Sequence, residues 1–339
     1  MKPTLRQIAQ MLNISTATVS KALAGKPEVN DHTRSQVLSC AQKVGYSLNK
    51  TVPNETPRRE RRGVIFIEER EKKENRNMFF YDVLVGFQRY AAQIPMETIV
   101  LPIDDVWRRE PDSYDRYLNA KNIDGVLVSG LRKGDPYISR LETTKIPTVV
   151  LDYSINNPRV GQVGVDNIAA VRLAVDHLAA LGHRKIGFLN GHSLAQVSGE
   201  RLAGFAAALG CNNLPFGAEL VFEGDFTEHC GAAAADYFAE AGLTAVFCAS
   251  DLMAIGLIHH LHRKRLRIPE DISVVGFDNM PLSAFCTPRL TTVAQDRERL
   301  GVMACALLHT LMNNGPLNHC VLHPALLVRE STAPPPPGK

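Results

Sequence analysis

No apolar run in the 339 residues approaches the roughly 18 that a membrane-spanning helix needs, so no membrane span is expected. The opening MKPTLRQIAQ has no apolar h-region, and a secretory signal is not expected either. Cysteine is sparse and unpatterned: seven residues, an odd number, with no C-x-x-C pair. That argues against a disulfide framework and a structural zinc site, and fits a reducing cytosol. Neither G-x-G-x-x-G nor G-x-x-x-x-G-K-[ST] occurs, so no nucleotide cofactor is expected. His259, His260 and His262 sit in HHLHRKR without matching carboxylates or thiols and read as surface, so no metal is expected. What is present, 45% hydrophobic and 22% charged residues, is the composition of an ordinary globular chain with material for two or three domains.

Net charge is only +3, but it is unevenly spread. Residues 1–62 hold 11 Lys and Arg against 4 Asp and Glu, while the remainder holds 27 against 31. A basic head on a mildly acidic body suits a polyanion-binding module, although a solvated basic surface gives the same asymmetry.

The head reads as three helices. Thr4-Leu5-Arg6-Gln7 is a capping-box pattern, and Leu5, Ile8, Ala9 and Leu12 then mark one apolar helical face. Ser15 offers a second N-cap for a helix over 16–24, which buries Val19, Ala22 and Leu23 and leaves Thr16, Ala17, Ser20 and Lys21 outward. A third helix spans 31–44, with Val37, Leu38, Ala41 and Val44 inward and Gly45 as its C-cap. Two short helices joined by a tight turn can place the second in a DNA major groove. Small side chains there allow close approach. Lys21 can donate to guanine O6 and N7, Thr16 can meet a thymine methyl, and the helix start with Ser15 suits a phosphate. A bundle used only for packing has the same periodicity.

The stretch TLRQIAQMLNISTATVSKALAGKPEVNDHTRSQVLSCAQKVGYSLN resembles the headpiece of the LacI/GalR (lactose-repressor) family of bacterial transcription regulators. The matching positions are Ile8-Ala9, Ser15, Thr18-Val19-Ser20, Val29, Thr33-Arg34, Val37, Ala41, Gly45-Tyr46 and Asn49. The resemblance implies base reading by Thr16, Ala17 and Lys21, with Thr4, Ser15, Thr18, Ser20, Asn30, Thr33, Tyr46 and Asn49 completing the DNA-binding set. Ala17 is shorter than the polar residue some members carry there, which favours methyl contact over hydrogen bonding. In residues 50–62, KTVPNETPRRERR, Val52, Pro53 and Glu55 stand where relatives resemble N-x-x-A-R-x-L, a hinge helix whose Leu wedges into the minor groove. Pro53 and Pro57 oppose a helix, and an anionic Glu55 is a poor wedge. The expectation is therefore an atypical hinge without the Leu wedge, with Arg58, Arg59, Arg61 and Arg62 contacting phosphates or simply solvated.

From Gly63 onward, β-branched runs such as GVIFI, DGVLVSG, IPTVVLD, KIGFLNG, TAVFCAS and DISVVGFD alternate with amphipathic stretches (81–93, 168–181 and 199–209). This predicts an α/β fold with parallel sheets, in two lobes, and ligands beyond the strands' carboxyl ends. HLAALGHRKIGFLNG, GERLAGFAAAL, ASDLMAIGL, IPEDISVVGFDN and PRLTTVAQD resemble effector-domain segments of the same family, whose fold is that of periplasmic binding proteins. The implied organisation is a three-helix helix-turn-helix headpiece (1–49), a linker (50–62), an effector domain (63–331) and a flexible tail (332–339). The effector domain would have two discontinuous lobes, 63–155 plus 294–319 and 156–293 plus 320–330. The resemblance further implies a homodimer on a palindromic operator in double-stranded DNA, a small carbohydrate effector, and a cytoplasmic, nucleoid-associated protein.

For the effector, Arg201 and Asp278 supply fork-like donors and a two-oxygen acceptor suited to adjacent hydroxyls, and Phe226 an apolar face. By carry-over these three match an effector-binding Arg, Asp and aromatic. Ser250 and Gln295 match further polar positions, and Phe79 and Phe80, in Asn77-Met78-Phe79-Phe80, match an N-P-F-F segment lining the opposite side. A structural ion pair and core aromatics are the plainer alternatives, and Asp251 reads as a helix cap. Gly191-His192-Ser193-Leu194-Ala195 falls one residue short of a G-x-S-x-G nucleophile elbow. Ser193 reads better as a ligand contact, so no catalytic residue is expected. The alternatives to a DNA-binding regulator, of repressor type by resemblance, are a sugar sensor without specific DNA recognition and, more distantly, a serine hydrolase.

Overall fold

The Thr4 hydroxyl accepts from the Gln7 N–H at 3.4 Å while the Gln7 side-chain oxygen accepts from the Thr4 N–H at 3.0 Å, so helix α1 (Leu5–Leu12) begins with a complete capping box. Asn13, in left-handed backbone (φ 51°), ends it. The Ser15 hydroxyl then accepts from the Thr18 N–H at 3.0 Å and starts α2 (Thr16–Leu23). Asn30 does the same for α3 (Asp31–Lys43), its side-chain oxygen accepting from the Thr33 N–H at 2.8 Å. The three helices close on Ile8, Val19, Ala22, Val29, Val37, Cys40 and Ala41. Leu38, expected inward, is 44% exposed, and Cys40 is buried instead. The inner stripe of α3 runs 37, 40, 41, and position 38 lies beyond its edge.

The computed structural model describes residues 4–23, 26, 28–44, 61–68, 78–103 and 113–338, which fall into two compact units, Met1–Arg59 and Glu60–Lys339. Tyr46, Asn49, Val52, Pro53, Glu55, Arg58 and Arg59 lie outside the described residues.

The second unit contains two six-stranded sheets. The first is ordered β11 (His319–Leu322), β5 (Val160–Val165), β4 (Thr148–Leu151), β3 (Gly125–Val128), β1 (Arg61–Glu68), β2 (Met96–Ile103), all parallel. The second is ordered β12 (Ala325–Leu327), β10 (Thr291–Ala294), β9 (Ser273–Asp278), β8 (Ala245–Cys248), β6 (Ile186–Asn190), β7 (Val221–Glu223), parallel except for the β10–β12 pair. Helices α4 (Met78–Ala91), α5 (Ser113–Ala120), α6 (Tyr137–Leu141) and α11 (Arg297–Met312) accompany the first sheet. Helices α7 (Asn167–Ala180), α8 (Gln196–Cys211), α9 (Gly231–Glu240) and α10 (Asp251–Arg263) accompany the second. Parallel strands need crossover connections, which is why strand and helix alternate.

Three boundaries differ from expectation. Strand β5, assigned to the second lobe, pairs with β4 (Leu151 beside Val163) and so extends the first sheet. Strand β11 also lies wholly in the first sheet, beside β5. Residues 61 and 62, read as linker, open β1, where the Arg62 Nε donates to Glu97 at 2.8 Å instead of lying free for phosphate. The chain therefore passes between sheets after β5, after β10 and after β11. At the second passage, α4 and α11 pack backbone to backbone: a Cβ on Gly301 would fall 1.9 Å from the Val83 carbonyl oxygen.

The tail is not free. Ser331 is fully buried: its hydroxyl accepts from the Thr291 N–H (2.9 Å) and donates to the Val274 carbonyl (2.5 Å). The Ala333 carbonyl accepts from His183 Nε2 (2.9 Å) and from the Ser273 hydroxyl (3.0 Å), and Thr332 meets His177 Nε2 at 3.0 Å. Backbone bonding of this kind has no sequence signature, so the segment read as a tail is a strap on the second lobe. Ending the chain after Glu330 is expected to destabilise the body by about 2–4 kcal/mol, from several buried hydrogen bonds at about 0.5–1.5 kcal/mol each. Ending it after Pro335 leaves the melting temperature unchanged, and paired thermal melts check both.

Candidate functional site

On the headpiece, Thr16, Ala17, Ser20 and Lys21 of α2 are exposed while Val19 and Ala22 are buried. The three side chains that resemblance puts against bases, Thr16, Ala17 and Lys21, are thus presented with Ser20 on one open helical face. Ser15 and Thr18 bond each other at 2.8 Å beside the α2 start, and Lys21 Nζ lies 2.7 Å from Glu28.

In the body, a cavity of about 160 Å³ opens between the two lobes. From the first lobe come Ser129, Arg132 and Asp152, and from the second His192, Gln196 and Phe226. It sits beyond the carboxyl ends of the parallel strands, where such sheets bind ligands. The Phe226 ring covers the end of β6 because position 191 is glycine: a Cβ there would lie 1.9 Å from the ring. His192 meets the same ring edge-on, centroids 5.3 Å apart.

Arg201 lies behind this surface, 4% exposed. Its Nε donates to Asn167 Oδ1 (2.8 Å) and its Nη1 to the Ala249 carbonyl (2.7 Å), and its guanidinium carbon is 3.8 Å from the Phe277 ring centroid. Asp278 and Asp152 are its electrostatic partners. Burial outweighs the Arg201 attraction and pushes both carboxyls up to about 6, while burial lowers the guanidinium itself. The Gln295 amide nitrogen donates to Asp278 at 2.5 Å, and its buried oxygen meets no donor among the described residues. Asp152, Phe226 and Asp278 all hold left-handed backbone (φ 54°, 67° and 108°), strain of a kind that gathers at functional sites.

The lobes are also stitched across the cleft. The Lys133 N–H donates to the Leu194 carbonyl (2.8 Å), the Lys133 ammonium to the Ser193 carbonyl (3.2 Å), and the Ser154 N–H to Gln196 (3.0 Å). Arg297 binds Asp82 of α4 (2.7 Å) and the Asp278 carbonyl (2.5 Å), joining first-lobe helix to second-lobe strand.

Comparison with known proteins matches residues 4–49 to the family model "Bacterial regulatory proteins, lacI family" and residues 175–332 to "Periplasmic binding protein-like domain". The HTH-type transcriptional repressor CytR of Escherichia coli (strain K12) is 32% identical over 309 residues, 90% of this chain and 88% of that one. The chain belongs to the lacI family. The repressor PurR of Vibrio vulnificus (strain CMCP6) is 29% identical over 97% of this chain and 98% of its own. The solved structure of the transcriptional regulator CelR–cellobiose complex shares 28% identity and a TM-score of 0.73, covering 97% of this chain and 99% of that one. As a lacI-family chain, the protein is a DNA-binding transcription regulator controlled by a small effector.

Within this lacI-family framework the expected effector residues separate. Arg201, Asp278 and Gln295 come together as one buried polar cluster, and Phe226 faces the cavity. Ser193 is exposed, its N–H donating to Glu223 at 2.8 Å. Ser250 is buried, and its hydroxyl caps α10 by accepting from the Met253 N–H at 3.2 Å. That corrects the cap assigned to Asp251, whose buried carboxylate instead accepts from the Thr292 hydroxyl (2.6 Å) and the Met280 N–H (2.7 Å). Phe80 does not line the cleft; it packs in the first-lobe core with Val83, Phe87 and Leu300, because helix α4 turns it toward α11. The Phe79 side chain lies outside the described residues. Sequence reading missed Asp152, Gln196, His192 and Arg132. Asp152 had a usable signal, an acid directly after a parallel strand.

The Asp278 carboxyl, about 6 when folded and about 4 when unfolded, contributes stability fully present below pH 4 and lost as pH rises through 6. Thermal melts of the ligand-free protein between pH 4.5 and 8 are expected to show that decline, with Asp278→Asn flattening it by about 1–3 kcal/mol.

Proposed function

We propose that this protein is a homodimeric repressor whose headpieces hold a palindromic operator and whose affinity for it is set by a carbohydrate in the interlobe cleft. The observation that carries the effector reading is the interlobe cavity lined by Asp152, His192, Gln196 and the Phe226 ring, with Asp152 coupled electrostatically to the buried Arg201 and Asp278. Guanidinium and carboxylates complement vicinal hydroxyls, and an aromatic face suits the C–H groups of a sugar ring. The relative solved with cellobiose supports that ligand class. Ser193, Ser250, Gln295 and Phe79 are assigned to the effector from sequence and resemblance alone.

For the DNA half, Lys21, Thr16, Ala17 and Ser20 are the base-facing set, with Thr4, Ser15, Thr18, Asn30, Thr33, Tyr46 and Asn49 positioning the phosphates. Dimerisation is supported by an apolar patch at 282–285, where Phe285 is 84% exposed and Leu282 is also exposed. A DNA partner supports a cytoplasmic, nucleoid-associated protein. No catalysis is assigned: the Ser193 hydroxyl and N–H both face Glu223 rather than an imidazole, and the relatives are repressors.

In this mechanism the ligand favours one orientation of the lobes, and that orientation sets operator affinity. Coupling is bounded by the ligand's differential affinity for the two states. A thermal-shift screen of neutral sugars, then sugar acids, then nucleobases tests the ligand class. A true effector at a hundredfold excess over its Kd stabilises by about 2.7 kcal/mol, and Arg201→Ala removes the shift. In parallel, wild-type protein is expected to bind selected palindromic duplexes in a salt-dependent manner, with Lys21→Ala weakening specific binding by about 1–3 kcal/mol. Stabilisation by sugars without preference for any duplex would leave the sugar-sensor reading in place of the repressor.

A further inference from the structure

Lys21 and Glu28 pair on the headpiece surface, Nζ to Oε2 at 2.7 Å, with 55% and 60% of their side chains exposed. The turn that carries Glu28 is fixed from several sides. The Lys26 N–H donates to the Lys21 carbonyl at 3.1 Å and the Val29 N–H to the Lys26 carbonyl at 3.3 Å. From α3, Arg34 donates to the carbonyls of Lys26 (2.7 Å) and Val29 (3.1 Å), and Val29 itself is buried. The carboxylate is therefore held over the last turn of α2, beside the open face formed by Thr16, Ala17 and Ser20. An acid on a DNA-reading face repels phosphates and weakens non-specific binding, so it is useful there only if it meets a donor.

We propose that Lys21 and Glu28 act together as a reader of one G·C base pair in the major groove. The ammonium donates to guanine N7 and O6, and the carboxylate accepts from the N4 amino group of the paired cytosine. The edge of a G·C pair runs acceptor, acceptor, donor, and the ion pair offers the complement in the same order. An ammonium has three N–H donors: one binds Glu28 and two remain for guanine. The other base pairs each mismatch. A·T sets the carboxylate against thymine O4, C·G sets the ammonium against the N4 donor, and T·A replaces guanine N7 by a methyl group. The carboxylate also fixes the otherwise mobile lysine before binding, which lowers the ordering cost of recognition. This inference rests on α2 being the groove-reading helix, as proposed above.

The test selects sites for the full-length protein from a pool of random-sequence duplexes, then compares single base-pair changes in the enriched site. Wild-type protein is expected to prefer G·C by roughly tenfold or more at one position per half-site. In Glu28→Ala that preference falls to about threefold or less, since Lys21 alone still donates to guanine, while other positions keep theirs. The same variant shows a slope of log K against log salt that is steeper by about one, because removing the carboxylate raises the net charge of the reading face by one. Circular dichroism confirms the fold of this surface variant. A Glu28→Ala protein with wild-type base preference at every position and an unchanged salt slope overturns the pair reader and leaves α2 as the reading helix. A wild-type protein that enriches no site overturns both.

Discussion

A guanidinium removed from water needs acceptors on every side, and in the second lobe everything near the cleft is arranged to give them to Arg201. Helix α7 supplies Asn167, the end of β8 supplies the Ala249 carbonyl, and β9 supplies the Phe277 face and Asp278. The first lobe adds Asp152 from the end of β4. One buried charge thus draws together strand ends and helices from both lobes. Its carboxylate partners are held away from their ordinary protonation range because burial costs more than a single shared cation returns.

The cleft is also where the two lobes hold each other. The loop at Lys133 bonds to the loop at Leu194, and Arg297 spans from Asp82 to the Asp278 carbonyl. The Lys133–Leu194 contact adjoins the cavity, and each lobe has its own apolar core. Reorientation of the lobes therefore breaks a handful of hydrogen bonds and leaves the cores intact, as expected of hinge closure around a ligand. Asp278 is shared between Arg201, Gln295 and, through its carbonyl, Arg297, so the buried polar cluster of the second lobe is tied directly to a contact between the lobes.

Much of this was legible in the sequence, and the failures have physical causes. The first two headpiece helices follow from caps at Thr4 and Ser15 and all three from apolar spacing, both local signals, while the Asn30 cap of α3 went unread. The buried parallel strands announce themselves as β-branched runs. Strand β5, VGQVGV, and the short β11 and β12 are too weak to show in that way, and which sheet a strand joins is decided by pairing rather than by its own residues. Residues 332 and 333 of the strap were misread as tail because the anchors at 333 are main-chain bonds to Ser273 and His183 under a sequence that ends in prolines. At the site, Arg201 and Asp278 were found through resemblance, whereas Asp152 required knowing that the end of β4 faces the second lobe. Phe80 was misplaced because the sequence does not say which side of α4 faces α11, and packing against that helix turns it inward.

Regulation through the cleft makes operator binding and effector binding reciprocal, so one linkage measurement addresses it most directly. With a stabilising sugar identified, its Kd is measured by calorimetry on the free protein and on the protein saturated with a selected duplex. The two values are expected to differ by about 5- to 150-fold, and by the same factor that the sugar imposes on the duplex Kd. Equal sugar affinity in the presence and absence of the duplex would contradict control of DNA binding from the cleft.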